Sequence, residues 1–143
     1  MNKAVDGDVV CFMSNDLPDV NKLQVVDRLN LEPVNRLARR GRAYVTLPLF
    51  GYVSHFTEGV PGEIERRVME EEKVDFRDFR VEANTELGSP GFRRPALVGV
   101  EPRWNIENKN SVLLSFFLPA GSYATVVLRE YMKMECRKAP DNM

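Results

Sequence analysis

The sequence FFLPAGSYATVVLRE, which runs from Phe116 to Glu130, decides the architecture of the carboxy-terminal part of this chain. The apolar run Val112 to Leu118 predicts a strand, and the segment Pro119 to Ser122 predicts the tight turn that ends it. A helix follows, for which Ser122 is the expected cap and Met134 the approximate end. The pattern is therefore strand, turn and helix start.

The turn and the first helical residues have two possible roles. Gly121 lets another group approach the backbone closely, and the free amides from Ser122 onward could meet an anion such as a phosphate. Alternatively, this is a plain strand-to-helix connection in which Tyr123 packs in the core, on the same helix face as Val127 and Tyr131. The spacing leaves both interpretations open.

The strand Val112 to Leu118 is preceded by a partner. Arg103 to Glu107 shows alternating Trp104 and Ile106, and the polar segment Asn108 to Asn110 separates it from the next strand. We expect a hairpin. Because its second strand is apolar on both faces, we expect that strand to lie centrally in a sheet.

The first 90 residues predict a second set of elements. The expected helices are Leu31 to Arg40, capped by Asn30, and residues 61 to 73, where Ile64 and Val68 share one face. Asp75 to Phe79 predicts a short helical turn. The expected strands are Val5 to Met13, Val20 to Leu29 and Arg42 to Tyr52, the last with Pro48 at an edge or bulge.

These elements predict an α+β fold with mixed or antiparallel sheets, a few packed helices and two small lobes. The segment Glu82 to Pro95 is rich in Asn, Thr, Gly, Ser and Pro, which is typical of a loop. We place the lobe boundary there, with residues 1–90 in one lobe and 91–143 in the other. Because the first strand starts almost at Met1, we expect the chain to begin inside a folded unit.

Composition narrows the possible classes of protein. The net charge is −1 over 143 residues, so any polyanion must be held by local patches. No apolar stretch is long enough to span a membrane, and the amino terminus lacks a signal-peptide pattern. Cys11, Cys136 and the single His55 are too few for a zinc site, so we expect reduced thiols and a cytoplasmic protein.

Two arginine clusters are candidate phosphate-binding patches. One surrounds Gly41, and the other is the Arg93-Arg94 pair after Gly91. Solvated surface charge is the alternative for both. No phosphate-loop, dinucleotide-binding or serine-nucleophile motif is present. Three consecutive acids, Glu70-Glu71-Glu72, would project in different directions from a helix, so they would not converge on a metal ion. The arginine cluster around Gly41 comprises Arg36, Arg39, Arg40 and Arg42.

Five segments, in this order, resemble the TruD family of tRNA pseudouridine synthases. The resemblance covers nearly the whole chain, and the segment at Phe116 to Glu130 carries the most specific motif. The other four are VDGDVVCF from Val5, GRAYVTLPLFG from Gly41, GEIER from Gly62 and GFRRPAL from Gly91.

The resemblance implies a function and a place in a larger enzyme. Members isomerise a uridine at tRNA position thirteen to pseudouridine with no cofactor or metal, and an essential aspartate acts in catalysis. Residues 1–90 resemble the later part of the inserted domain special to the family. Residues 91–143 resemble the last strands and helix of the catalytic domain. The lysine-aspartate motif that carries the catalytic aspartate has no counterpart here.

The resemblance also implies partners and site residues. We expect tRNA and a missing amino-terminal half of the enzyme as partners, and no catalytic residue in this chain. Arg93 and Arg94 are expected at RNA phosphates, with Gly121, Ser122 and Tyr123 near the RNA; Arg129-Glu130 is expected to be a structural pair. The alternative is a noncatalytic RNA-binding module of the same fold, and a third possibility is an unrelated interaction domain.

If this chain is a fragment of a larger enzyme, it should expose surface that the amino-terminal half of that enzyme normally covers. If Val112 to Leu118 is central in the complete sheet, some of its neighbours lie in the absent half. We therefore expect either a homodimer built through residues after Gly91, or a loosened second lobe.

Overall fold

A computed structural model describes residues 2–119 and 121–133. The chain divides into two compact units, Met1–Val98 and Gly99–Met143. The first unit contains β1 (Val9–Ser14), β2 (Leu17–Val25), α1 (Leu31–Arg39), β3 (Ala43–Leu49), α2 (Gly59–Glu72) and β4 (Phe92–Pro95), with 3₁₀ turns at Phe76–Phe79 and Thr85–Leu87. The second contains β5 (Arg103–Asn108), β6 (Ser111–Ser115) and α3 (Ala124–Met132). The α+β class predicted from sequence is confirmed.

The first unit is built on a four-stranded antiparallel sheet with the strand order β2-β1-β3-β4. The two outer strands, β2 and β4, also approach each other, so the sheet curls. Opposite the consecutive residues Cys11 and Phe12 of β1, the partner residue changes from Leu23 to Asp19, so residues 20–22 of β2 form a bulge, a feature that increases local bending and twist. The curl gives the sheet two unlike faces.

The core of the first unit lies on one of these faces. Val10 and Val45 are register partners, and they pack with Val26, Val34 of α1 and Ala4. Because strand side chains alternate, the residues next to Val10 and Val45 point to the opposite face. Helix α1 therefore covers one face of the sheet with apolar side chains. The opposite face carries the polar residue Thr46.

Amide side chains fix the segment that precedes β1. Asn35 of α1 is buried, its Oδ1 accepts from the Ala4 N–H at 2.8 Å, and its Nδ2 donates to the Ala4 carbonyl at 3.0 Å. Asn2 bonds in the same way to β3, donating to the Ala43 carbonyl at 2.7 Å and accepting from the Val45 N–H at 3.2 Å. These bonds satisfy backbone groups that no neighbouring strand could reach.

Asn30 occupies the N-cap position of α1, as the sequence predicted, but its side chain makes no cap hydrogen bond. Its Oδ1 accepts from the Asp27 N–H, and its Nδ2 donates to the Val25 carbonyl. Asp27 makes the reciprocal contacts, because its Oδ1 accepts from the N–H groups of Leu29 and Asn30. The turn before α1 is therefore an interlocked Asp-Asn pair, a local alternative to capping that these residue types favour.

Pro48 lies in β3, an interior strand of the sheet, but at a point where β3 pairs with only one neighbour, in agreement with the edge position that the sequence predicted. Strand β3 pairs with β1 only through Ala43 to Val45, whereas its other half, Thr46 to Leu49, pairs with β4. Pro48 faces Arg93 in that register and lies beyond the end of the β1 pairing. The missing N–H therefore costs no ladder bond on the β1 side, since the strand is locally an edge there.

Helix α2 confirms the helix predicted from residue 61, but its buried face is not the one that the apolar spacing indicated. Ile64 and Val68 are about half exposed, at 48% and 45%. The buried residues are Gly62, Glu65 and Met69. An acidic side chain, and not the isoleucine and valine, therefore points into the unit.

The second unit contains the predicted hairpin and helix. Strands β5 and β6 pair with each other alone in the part of the chain that the structure describes, so β6 is not a central strand there. Ser122 is not the cap; Tyr123 occupies that position, without a side-chain cap bond. Strand β6 ends at Ser115, earlier than predicted. The predicted helix end at Met134 and Cys136 lie outside the described residues.

The units divide later than the predicted lobe boundary. The segment after Gly91 forms β4, whose pairing with β3 holds it in the first unit, so the division falls after Val98. Whether the two parts correspond to an inserted and a catalytic domain stays a prediction. Among the described residues, no helix has the length and apolar character needed to cross a membrane.

Candidate functional site

A buried polar network lies on the face of the sheet opposite α1, and Arg93 is its centre. Arg93 Nε donates to Thr46 Oγ1 at 3.0 Å, and Nη2 donates to the Thr46 carbonyl at 3.1 Å. Nη2 also forms an ion pair with Glu65 Oε1 at 3.2 Å, and only 15% of the arginine and 10% of the glutamate side chain are exposed. Thr46 Oγ1 in turn donates to the Val9 carbonyl at 2.7 Å. Strand β4, helix α2 and strands β1 and β3 meet in this network.

The second oxygen of Glu65 completes the network. Glu65 Oε2 accepts from the Thr57 N–H at 2.7 Å and from Thr57 Oγ1 at 3.0 Å. Gly62 makes the close approach of this segment possible, since an added Cβ would lie 1.9 Å from the Thr57 carbonyl oxygen. Both carboxylate oxygens therefore have partners, as a buried charge requires.

The carboxyl group of Asp8 lies close enough to the ion pair for the charges of Arg93 and Glu65 to affect its pKa. Partial burial raises the pKa of the Asp8 carboxyl above its usual value, against the lowering effect of the bond that Asp8 Oδ2 accepts from the Val5 N–H. The positive charge of Arg93 also lowers this pKa, and the negative charge of Glu65 raises it. Burial has the largest effect, so the pKa stays raised.

Arg93 and Arg94 do not act as one patch. Neighbouring strand residues point to opposite faces, and Arg94 is the register partner of Leu47 whereas Arg93 faces Pro48. Arg94 is partly exposed, and no carboxylate lies within 4.0 Å of it among the residues described. Arg93 does not project from the surface as a phosphate contact would, because its Nε and Nη2 are engaged inside the protein.

A cavity of about 450 Å³ opens beside Arg93, within the first unit. It lies on the Arg93 face of the curled sheet, between the edge strands β2 and β4, and the segment from Val53 to Glu58 borders it. Most of the lining is apolar or aromatic, and Arg93 supplies a cationic group. The lining includes Leu23, Val25, His55, Phe56, Phe92 and Arg93.

Two glycines hold the walls of this cavity against each other. An added Cβ at Gly51 would lie 2.1 Å from the Gly91 nitrogen, and one at Gly91 would lie 2.3 Å from Ser54 Oγ. Gly91 also has a φ of +84°, a conformation that suits glycine. The backbones are joined by the Tyr52 N–H, which donates to the Ser89 carbonyl at 2.9 Å. The walls are therefore built by close backbone contact.

The other predicted site residues lie in the second unit. Gly121 has a φ of +82°, and the Ser122 N–H donates to the Pro119 carbonyl at 3.1 Å, so the predicted turn is present. Tyr123 is 64% exposed and does not pack in a core of the described residues. A role of Gly121, Ser122 and Tyr123 in binding RNA stays a prediction.

The described part of the chain contains no group of three His, Cys, Asp or Glu residues that could hold a metal. Cys11 is a free, fully buried thiol, and burial raises its pKa. A thiol in that state is a poor nucleophile near neutral pH.

Sequence reasoning missed Glu65, Thr46 and Thr57 as members of one site. No local motif joins them, because they come from α2, β3 and the preceding loop. One signal was available: Glu65 lies next to Ile64 in the segment GEIER, which was recognised as a unit without assigning a role to the acid.

The family model described as tRNA pseudouridine synthase D (TruD) matches residues 1–131. The chain belongs to the TruD family. A relative from Methanococcoides burtonii, named probable tRNA pseudouridine synthase D, is 47% identical over 94% of this chain and 32% of its own length. One from Methanosarcina acetivorans with the same name is 44% identical over the same shares.

A solved structure agrees. The crystal structure of a protein from Methanosarcina mazei, titled as a tRNA pseudouridine synthase D, superposes with a TM-score of 0.78 at 44% identity. The superposition covers 93% of this chain and 32% of that protein. The chain thus spans about a third of the length of the relatives that it matches.

The buried ion pair gives a stability prediction. Replacing Glu65 by alanine leaves the Arg93 guanidinium buried without its counter-charge, so the free energy of unfolding should fall by about 3 kcal/mol. Glu71 on the same helix pairs with Arg67 at 3.8 Å on the surface, and Glu71→Ala should change it by less than about 0.5 kcal/mol. Urea unfolding of both variants measures the difference, and equal effects would contradict a structural role for Glu65.

The raised pKa of Asp8 predicts a pH dependence. A carboxyl whose pKa is higher in the folded state binds its proton more tightly there, so it lowers stability as pH rises above the unfolded value of 3.8. Asp8→Asn removes this loss, and its side-chain oxygen can still accept from the Val5 N–H. The stability of Asp8→Asn relative to the unaltered chain should therefore increase as the pH rises from 3.8 through the raised pKa of Asp8 in the folded state. Urea unfolding across this range would contradict the prediction if the relative stability stays constant or falls.

Proposed function

We propose that this chain is the carboxy-terminal part of a tRNA pseudouridine synthase that isomerises the uridine at tRNA position thirteen. The observation that carries the proposal is the TruD family match over residues 1–131. The chain's share of about a third of its relatives' length supports the view that the rest of the enzyme is supplied elsewhere. Such an enzyme works on tRNA in the cytoplasm.

The chemistry explains how such a chain contributes without a catalytic residue. Breaking and remaking a glycosidic bond requires an extruded base, held in place and served by a carboxylate close to the sugar or base. The catalytic aspartate belongs to the amino-terminal half, because none of the acids in this chain lies in the family motif for it. This chain positions the RNA and needs no cofactor or metal.

The proposed RNA contacts follow from exposure and charge. Arg94 is the member of the arginine pair that meets a phosphate, since it has no ion-pair partner among the described residues. Arg93 supports it from the opposite face by fixing β4 to β3 and α2. In the second unit, the turn and first helical residues at Gly121, Ser122 and Tyr123 approach the RNA backbone or an unstacked base.

A noncatalytic RNA-binding module is the second candidate function. The basic residues of α1 favour it, because Arg36 and Arg40 are exposed on a helix that ends without an acidic residue in its last turn. The chain alone would then bind RNA as its complete activity. In isolation, the unpaired edge of β6 is expected to recruit a second copy of the chain.

A chimera separates the two functions. The matching third of the Methanococcoides burtonii relative is replaced by this chain, and tritium release from tRNA labelled at uracil C5 is measured. We expect the chimera to release tritium and this chain alone to release none. An inactive but folded and tRNA-binding chimera would favour the noncatalytic module. Release by the chain alone would place the catalytic carboxylate within it.

The role of Arg94 is tested in the active chimera. Arg94→Ala should weaken tRNA binding and reduce the slope of log affinity against log salt by roughly 1, because one phosphate contact is lost. Arg67→Ala, on the exposed side of α2, is the control and should leave the slope unchanged. Filter binding over a salt series measures both. An unchanged slope for Arg94→Ala would remove this residue from the RNA interface.

A further inference from the structure

Arg93 offers one unused donor group to the cavity. Its Nε and Nη2 are engaged by Thr46 and Glu65, whereas Nη1 donates to no residue in the part of the chain that the structure describes. Nη1 is not sealed from solvent, since no buried side-chain nitrogen or oxygen of the described residues lacks a partner. Arg93 lines the cavity, and among the described residues Nη1 is the nitrogen of its guanidinium that remains free to donate to a ligand.

The electrostatics of the cavity select a neutral acceptor over an anion. The charge of Arg93 is offset by Glu65 at 3.2 Å. Asp8 lies close enough to influence both, and its raised pKa reflects an environment that disfavours further negative charge. A carbonyl oxygen can accept from Nη1 without bringing a charge into this largely apolar space.

The walls of the cavity select a flat, partly apolar group. Phe56 is fixed in a cluster with Phe50 and Phe76, with ring centroids 6.0 and 4.8 Å away. His55 and Phe92, both exposed, are further residues of the lining. Leu23 and Val25 supply aliphatic surface from β2. Bases stack on such rings and on aliphatic side chains with little dependence on sequence.

We propose that this cavity binds an unstacked nucleobase of the RNA substrate, with a base carbonyl accepting from Arg93 Nη1 and the ring lying against the apolar and aromatic walls. A planar base can then both accept a hydrogen bond from Arg93 Nη1 and pack against the apolar walls. An apolar protein side chain in the same place would leave the arginine donor unpaired. The proposal rests on the proposed function for the identity of the RNA.

The proposal carries a preference among bases. Uracil presents two carbonyl oxygens and guanine presents one, whereas adenine has no carbonyl oxygen, carries an amino donor in the corresponding position and accepts only through its ring nitrogens. Arg93 Nη1 can only donate. The cavity should therefore bind uracil or guanine more tightly than adenine.

A cavity-filling substitution tests the site in the whole chain. Leu23→Trp places an indole in the cavity, and Leu29→Trp makes the same change at a residue that is 91% exposed and outside the lining. The probe is a short oligouridylate, with oligoadenylate for comparison, followed by fluorescence anisotropy. We expect Leu23→Trp to weaken oligouridylate binding about tenfold, the loss of roughly one stacked base. Leu29→Trp should bind like the unaltered chain, which itself should prefer oligouridylate to oligoadenylate.

Photocrosslinking with an oligomer containing 4-thiouridine gives an independent reading of the same site. We expect crosslinked peptides from residues 53–58 or 90–93, and their loss in Leu23→Trp. Val25→Trp serves as a second cavity-filling variant if Leu23→Trp unfolds at a lower temperature than Leu29→Trp. Crosslinks elsewhere, together with unchanged binding by a folded cavity variant, would overturn the proposal.

The outcome is separable from that of the proposed function. If the chimera modifies tRNA while its Leu23→Trp form is as active as its Leu29→Trp form, the nucleobase site is wrong and the function stands. If the chimera is inactive while uridine crosslinks to the cavity, the base site stands and the function is wrong. If Leu23→Trp destabilises the chimera without reducing oligouridylate binding, a protein segment occupies the cavity and the proposal fails.

Discussion

The ion pair between Arg93 and Glu65 is the constraint on which the rest of the first unit depends. A guanidinium can be buried only if a counter-charge and hydrogen-bond acceptors are buried with it. Glu65 supplies the charge, Thr46 supplies two oxygens, and Thr57 satisfies the far side of the carboxylate. Strand β4, helix α2 and the loop before it therefore have one arrangement in which no buried charge is unpaired.

Helix α2 shows why this polar link matters. Its apolar residues Ile64 and Val68 are half exposed, so apolar packing holds it only in part. Glu65 and Met69 provide its inward contacts. The same link turns Arg93 towards the cavity, while the contact between Gly51 and Gly91 fixes the walls on either side. Structural and binding roles thus meet in one side chain, which leaves only Nη1 for a ligand.

The second unit presents a different physical situation. Its hairpin has large exposed side chains, among them Trp104 at 67% and Ile106 at 62%, and α3 has no buried residue. Apolar surface of this extent is typical of a face that another element covers. This surface and the cavity of the first unit are separate features, one suited to a protein neighbour and the other to a base.

Sequence alone determined the family, the α+β class and most of the elements. Apolar periodicity located the helices at Leu31 and near residue 61, and the ordered motifs carried the resemblance.

The sequence alone did not determine the directions in which adjacent residues point. Arg93 and Arg94 look equivalent in the chain, yet strand alternation and the register of β4 on β3 point them to opposite faces, and only Arg93 enters the buried polar network. Asn30 and Ser122 both fit the pattern of helix caps. The side chain of Asn30 instead bonds to the turn at Asp27, and Tyr123 occupies the N-cap position of α3. The cavity arises because the curled sheet brings β2 towards β4, and the network arises because Glu65 meets Arg93 across 28 positions of sequence. Contacts between such distant residues depend on strand pairing and packing, which no local pattern encodes.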